Sequence, residues 1–191
     1  RYAPRILGND SDCNVNVLDT LKRELCDCSS FALSVAFITA SGIQVLAAIL
    51  AELRDRGIPG RILTSTYLNF NDPDALGKLL QYPNIESRVY QGDLHAKGYF
   101  FNKDQISTII IGSSNLTQTA LTCNKEWNIL FRSFPDGRLY LQAKEQYEQL
   151  WNDEEAVSLT KRWIADYRRY LEENPRPKQT RSSRAFRDDA H

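Results

Sequence analysis

Between residues 31 and 91 the hydrophobic period switches back and forth, and that alternation limits the folds open to this chain more than any single residue does. FALSVAFI (31–38) is a short apolar run rich in β-formers and reads as a buried strand. SGIQVLAAILAELRDRG (41–57) follows, with Ile43, Leu46, Ala47, Leu50 and Leu53 at helical spacing, Ser41 able to cap it and Gly57 to stop it. GRILTST (60–66) reads as a second strand, and IESRVYQ (85–91) as a third. Between them DPDALGKLLQY (72–82) has Pro73 after a capping Asp72 and reads as a helix. A β-α-β-α-β succession predicts an α/β fold: a mixed, mostly parallel sheet with helices on both faces.

The pattern then changes. HAKGYFF (95–101) and ISTIIIG (106–112) are strand-like runs joined by NKDQ, a hairpin signal. NLTQTAL (115–121) reads as a short helix and EWNILFRS (126–133) as another strand. GRLYLQAKEQYEQLW (137–151) and SLTKRWIADYRRYLEE (158–173) are amphipathic, the second carrying Leu159, Trp163, Tyr167, Tyr170 and Leu171 on one face. The expected organisation is a domain over 1–152, a C-terminal helix at 153–173 packed on or beside it, and a Pro-, Arg- and Ser-rich linker or tail over 174–191. From Lys161 to His191 there are nine Lys/Arg against five Asp/Glu, a mildly basic end.

A chain of 191 residues that is 42% hydrophobic can bury a sizeable core, which excludes global disorder. Its net charge of zero selects neither for nor against nucleic acid. The cysteines (Cys13, Cys26, Cys28, Cys123) include a C-x-C without a second pair at ligand spacing, so they read as free thiols of a reducing cytosol, and a cytoplasmic protein is expected. No apolar run reaches the ~18 residues of a membrane span, and RYAPRILGND is too polar for a signal peptide. A chain that opens on Arg1 and holds no Met reads as a piece or processed form of something longer.

The chemistry concentrates between residues 95 and 126. His95 is the one interior histidine; His191 is the last residue. On a strand His95 and Lys97 share a face. A lysine beside an imidazole is a poor structural device but a good chemical one: a neutral imidazole can attack phosphorus while the ammonium neutralises a phosphate oxygen. The bland alternative is a histidine beside a surface lysine. GSSN (112–115) sits where a strand gives way to a helix. There Asn115 with Gln118 suits a capping box, the helix start suits an anion, Gly112 permits close backbone approach, and Ser113 and Asn115 add polar groups. Glu126 is suited to accept an imidazole Nδ1 proton and fix its tautomer, or else forms a surface pair with Lys125. Tyr90, Tyr99, Phe100, Phe101 and Trp127 are suited to stack on bases, but most read as core residues at strand spacing, and none is assigned a role.

The order His-x-Lys, Gly-Ser-x-Asn, then Glu eleven residues after the Asn resembles the phospholipase D superfamily, in the pieces HAK, GSSN and NKEWN. From SVAFITASG through RILTSTYLNFNDPDAL to IIIGSSNLTQTAL the chain resembles the PLD-like nuclease domains at the N-terminus of some bacterial helicases and restriction enzymes. The fuller signature, H-x-K-x4-D, is not met: Asn102 stands where Asp is required. That departure points to the single-motif nuclease branch, in which a later Glu, here Glu126, serves instead.

The resemblance implies a metal-independent phosphodiesterase with no cofactor. One histidine forms a phosphohistidine and a second protonates the leaving oxygen. With one interior histidine, the site then needs two copies of His95, in a homodimer joined through the active-site face. His95, Lys97, Asn115 and Glu126 are the implied catalytic residues; Lys97, Ser113 and Asn115 the phosphate ligands; DNA the expected partner; and further covalently linked domains the expected context. The alternative is a catalytically silent DNA-binding or dimerisation module. A metal-dependent nuclease is disfavoured by the absence of any Glu-x-Lys or Asp-x-Lys and by sparse acids near the motif (Asp93, Asp104, Glu126). A phospholipase is disfavoured by the single motif and the lack of a membrane-binding segment.

Overall fold

The computed structural model describes residues 3–10 and 16–175. An eight-stranded sheet runs in the order β1-β7-β6-β5-β2-β3-β4-β8. The strands are β1 (Arg5–Leu7), β2 (Ser30–Ser34), β3 (Gly60–Ser65), β4 (Ile85–Tyr90), β5 (Gly98–Asn102), β6 (Ser107–Gly112), β7 (Asn128–Ser133) and β8 (Ala156–Ser158). The helices are α1 (Val17–Asp27), α2 (Ala40–Asp55), α3 (Pro73–Leu79), α4 (Gln118–Thr122), α5 (Arg138–Trp151) and α6 (Lys161–Glu173).

The expected α/β class and mixed sheet are found, with one correction of balance. β2–β3 and β3–β4 pair in parallel, as the alternation requires, but every other neighbouring pair is antiparallel. The short connection between β5 and β6 accounts for that pair: strands joined so tightly cannot lie parallel.

Helices cover both faces. The larger core lies on one side, where α1, α2, α3 and α6 place Leu21, Leu25, Leu46, Leu50, Leu76, Ile164 and Tyr167 against Phe31, Leu33, Ile62, Tyr99, Phe101 and Ile110. Each such buried aliphatic side chain stabilises the fold by about 1.5–3 kcal/mol. On the other side α5 lays Tyr140, Tyr147 and Trp151 over Leu63, Phe100, Ile109 and Phe131. The alternation along β5 sends Tyr99 and Phe101 to the first core and Phe100 to the second.

Several boundaries differ from the sequence reading. β2 stops at Ser34, and residues 35–38 turn away from it to meet the far loop, where Ile38 bridges Leu116. Thr39, not Ser41, caps α2, its hydroxyl accepting from the Gly42 amide at 3.2 Å. Asp72 caps α3 as expected. α1, β1 and β8 have no counterpart in the sequence reading, and residues 176–191 of the expected tail lie outside the described residues. Gly42 is a structural necessity: a Cβ there would stand 2.0 Å from the Leu116 carbonyl oxygen. The first turn of α2 therefore seats directly against the loop that follows β6.

Candidate active site

The candidate residues converge at one end of the central strands, where β2, β3 and β4 finish, β5 begins and β6 finishes. His95 and Lys97 do not lie on a strand. They precede β5, in a segment that begins after the turn closing β4. This corrects the expectation of a shared strand face: the His95 side chain is exposed, whereas Lys97 is 5% exposed. The Lys97 ammonium donates to the His95 carbonyl oxygen at 2.7 Å, so the lysine holds the backbone of the histidine it serves. Burial pushes the Lys97 pKa below its ordinary value, and the negative charge of Glu126 opposes that fall.

Asn115 is not a helix cap. Thr117 caps α4, accepting from the Ala120 amide. Asn115 Oδ1 instead accepts from the amides of Ala36 (3.0 Å) and Phe37 (3.3 Å), beyond the end of β2. Those two bonds orient the carboxamide by its hydrogen-bond network. They commit the oxygen and leave the Nδ2 donor end without a partner among the described residues. α4, the helix that follows, has only 5 residues.

Ser113 and Glu126 form a pair of their own. The Ser113 hydroxyl donates to the Glu126 carboxylate and accepts from the Trp127 amide at 3.0 Å. In the single chain Glu126 is thus bonded to Ser113, not to the His95 imidazole as expected. The close approach at Gly112 is real: a Cβ there would stand 2.4 Å from both the Trp127 carbonyl and Asn128 Oδ1.

Residues that the sequence reading did not assign to the site brace these loops. Asn128 donates to the Ser114 hydroxyl and to the Leu7 carbonyl, and accepts from the Ser114 amide. Fully buried Tyr99 donates to the Ser114 carbonyl at 2.8 Å, and burial together with the Glu126 charge keeps its phenol protonated. The Ser65 hydroxyl reaches both the Ala36 and the Leu94 carbonyls, tying the Asn115 side of the site to the residue before His95. The Tyr67 ring lies 4.8 Å from the His95 ring, tilted by 54°. Asn128 and Tyr99 gave no signal beyond strand spacing, and Tyr67 gave none. Of the five aromatics near the motif, Trp127 is 81% exposed. Among the described residues no group of three or more His, Cys, Asp or Glu is placed to hold a metal ion, and no helix is long and apolar enough to cross a membrane.

The model of the family described as "Cardiolipin synthase, PLD-like domain" matches residues 23–151, which hold every candidate residue named above. The chain belongs to the phospholipase D superfamily. Among solved structures it is similar to a phospholipase D family member, Nuc from Salmonella typhimurium, at 19% identity and a TM-score of 0.64, covering 82% of this chain and 98% of that one. NucT from Helicobacter pylori is similar at 20% identity and a TM-score of 0.62, covering 83% and 98%. TrmBL2, an archaeal chromatin protein whose structure shows a mode of DNA binding, is similar at 16% identity and a TM-score of 0.50, covering 80% and 52%. At such identities these likenesses concern the fold. No curated protein matches the chain.

Proposed function

We propose that this phospholipase D superfamily member is a metal-independent phosphodiesterase that cleaves nucleic acid, DNA in the first place, through a phosphohistidine on His95. The observation that carries this reading is the contrast within one short segment, an exposed His95 two residues before a buried Lys97, at the end of the sheet where Asn115 keeps a free donor. The Lys97 ammonium carries a desolvation cost that its bond to the His95 carbonyl and the charge of Glu126 offset only in part, since its pKa stays below the ordinary value. An anionic substrate oxygen would repay it.

The reaction runs in two displacements. His95 Nε2 attacks phosphorus, the P–N bond forms and the P–O bond to the leaving group breaks. A second imidazole gives its proton to the leaving oxygen. Water then attacks the phosphohistidine, losing its proton to that same second imidazole, and the P–N bond breaks. The Lys97 ammonium and Asn115 Nδ2–H neutralise the charge gathered on the non-bridging oxygens. Glu126, held by Ser113, sets the field around Lys97.

The second imidazole has to come from another copy, because the chain has one interior histidine. A two-fold dimer supplies it. Exposed Ile111, Ile129 and Ile6 stand directly opposite one another across β6, β7 and β1, beside Ser113 and Trp127. An uncovered apolar row at the edge of a polar site suits a face that a second copy covers. The wider setting we infer is a cytoplasmic helicase or restriction protein, with this chain as its nuclease module and the segment after residue 173 as the link to the rest.

The test is cleavage of plasmid and single-stranded DNA in excess EDTA, with His95→Ala alongside. Cleavage that survives EDTA and is lost in the variant supports the mechanism; cleavage abolished by EDTA overturns it. A second reading, that the chain grips DNA without cutting it, draws on the likeness to TrmBL2. It is favoured if the wild-type dimer binds DNA and cleaves neither substrate.

A further inference from the structure

We propose that Tyr67 is the positioning residue for His95, and that the backbone turn carrying it is held in an unfavourable conformation for that purpose. The inference rests on the reading of His95 as the attacking group.

His95 lacks the partner its chemistry leads one to expect. Its backbone carbonyl is held by Lys97, but the Glu126 carboxylate is taken by Ser113. Among the described residues the imidazole's ring contact is with Tyr67. The 4.8 Å separation and tilted geometry fall within the range that aromatic pairs favour. An exposed side chain without such a neighbour samples several rotamers, and an attacking nitrogen has to point at phosphorus.

The chain reaches this contact through strained backbone. Tyr67–Asn69 form a single 3-10 turn in which Leu68 and Asn69 are consecutive residues with φ of +50° and +55°. Two adjacent non-glycine residues in the left-handed region are uncommon and persist only when their surroundings dictate them. Burial of Leu68 is not the cause, because its side chain is 58% exposed. The surroundings do dictate the turn at both ends. The Thr66 amide donates to Tyr90 O and the Asp72 amide to Ile38 O, each at 3.0 Å. The Tyr67 amide donates to the Ser65 hydroxyl, the same hydroxyl that reaches the Leu94 carbonyl next to His95. On the other flank, Phe70 packs edge-on against Phe37, whose amide shares Asn115 Oδ1. The turn thus spans from the Asn115 side of the site to the His95 side, and Tyr67 is where it touches the imidazole.

A ring in that place does two things. It restricts rotation of the imidazole, and its π face favours the positive charge that the imidazole acquires once Nε2 is phosphorylated and Nδ1 stays protonated. Both effects are stronger in the transition state than in the ground state, so they belong in kcat rather than KM.

The experiment combines steady-state cleavage of a fluorescent single-stranded oligonucleotide in EDTA with proton NMR of the imidazole. With His191→Gln as background, His95 gives the one histidine signal of the chain. Tyr67→Leu keeps bulk without a π face, Tyr67→Ala removes both, and Tyr67→Phe retains the ring. We expect kcat to fall roughly 10- to 100-fold in the Leu and Ala variants with KM within about twofold. The His95 signal should shift in both while melting temperature holds in Tyr67→Leu, and Tyr67→Phe should restore kcat and signal. Wild-type kcat in Tyr67→Leu, or an unmoved His95 signal, overturns the proposal while leaving the phosphodiesterase reading intact. A wild-type chain without cleavage, or an active His95→Ala, overturns the phosphodiesterase reading and this role with it, and the NMR signal then reports the Tyr67 contact alone.

Discussion

The buried ammonium of Lys97 donates to the backbone carbonyl of His95, two residues earlier in the chain. In the proposed reaction, the charge that would bind substrate also holds the backbone from which His95 projects. Lys97 therefore acts on two scales, and its removal should separate them.

Lys97→Met should abolish cleavage, by at least about 100-fold, and yet stabilise the fold by about 1 kcal/mol in urea denaturation, because a buried charge gives way to an apolar chain of similar length. The pH dependence follows in sign. Burial lowers the folded pKa of Lys97 below 10.5, so between that lowered value and 10.5 the native state sheds a proton that the unfolded chain keeps. Stability from this group is lowest at neutral pH and recovers as pH rises through the lowered pKa. The Met variant should lose that alkaline gain.

Glu126→Gln removes the one charge that holds the Lys97 pKa up. The alkaline limb of the rate profile should therefore move to lower pH, the direction expected when Lys97 loses its proton more easily. A rate profile whose alkaline limb stays in place would show that Glu126 does not act through Lys97.

Two substitutions at Asn115 distinguish its two ends. Asn115→Asp keeps an acceptor for the Ala36 and Phe37 amides but turns the donor end into an anion. It should fold normally and lose about 100- to 1000-fold in kcat/KM. Asn115→Ala leaves both amides unsatisfied and should also cost about 1–3 kcal/mol of stability. Rates and urea midpoints measured on both variants check this.

A charge in the exposed isoleucine row tests assembly. Ile129→Asp should produce a folded monomer in sedimentation equilibrium, and a monomer with a single interior histidine should be inactive. An active monomer would show that the second imidazole is dispensable.

Glu24 provides an acid-stability test far from the chemistry. It bonds Arg132 at 2.7 Å and pairs with Lys103 at 3.0 Å, joining α1 to β7 and to the β5–β6 connection. Burial raises its pKa, but the Thr108, Lys103 and Arg132 side chains outweigh that and hold it below the ordinary value. A depressed carboxylate contributes stability above its unfolded pKa and loses it as pH falls through the folded one. Glu24→Gln should cost about 2 kcal/mol at pH 7 and flatten the fall in stability below pH 4.5. Urea melts from pH 7 to pH 3 measure both.

The parallel strands β2, β3 and β4 and the helices between them were legible because their apolar residues keep a clean period and their ends carry Asp72-Pro73 and Gly57. His95, Lys97, Ser113, Asn115 and Glu126 were legible as a set from residue type and spacing. Their partners were not. Asn115 looks like a cap because Asn before a helix caps so often; its actual partners, Ala36 and Phe37, are nearly eighty residues away. Tyr67 was invisible because its place depends on φ at Leu68 and Asn69, and nothing in TYLNF announces a left-handed turn. β1 and β8, at three residues each, are too short to show a period.

Gly42 never touches substrate in this arrangement, yet the missing methyl lets the Leu116 carbonyl come to rest on α2. Leu116 adjoins Asn115, so any side chain at position 42 would displace the backbone that carries the proposed phosphate donor. A saturation screen scored on cleavage alone would rank residue 42 with the proposed nucleophile, His95. Only a parallel count of folded protein would reveal that such variants are lost through geometry, not chemistry.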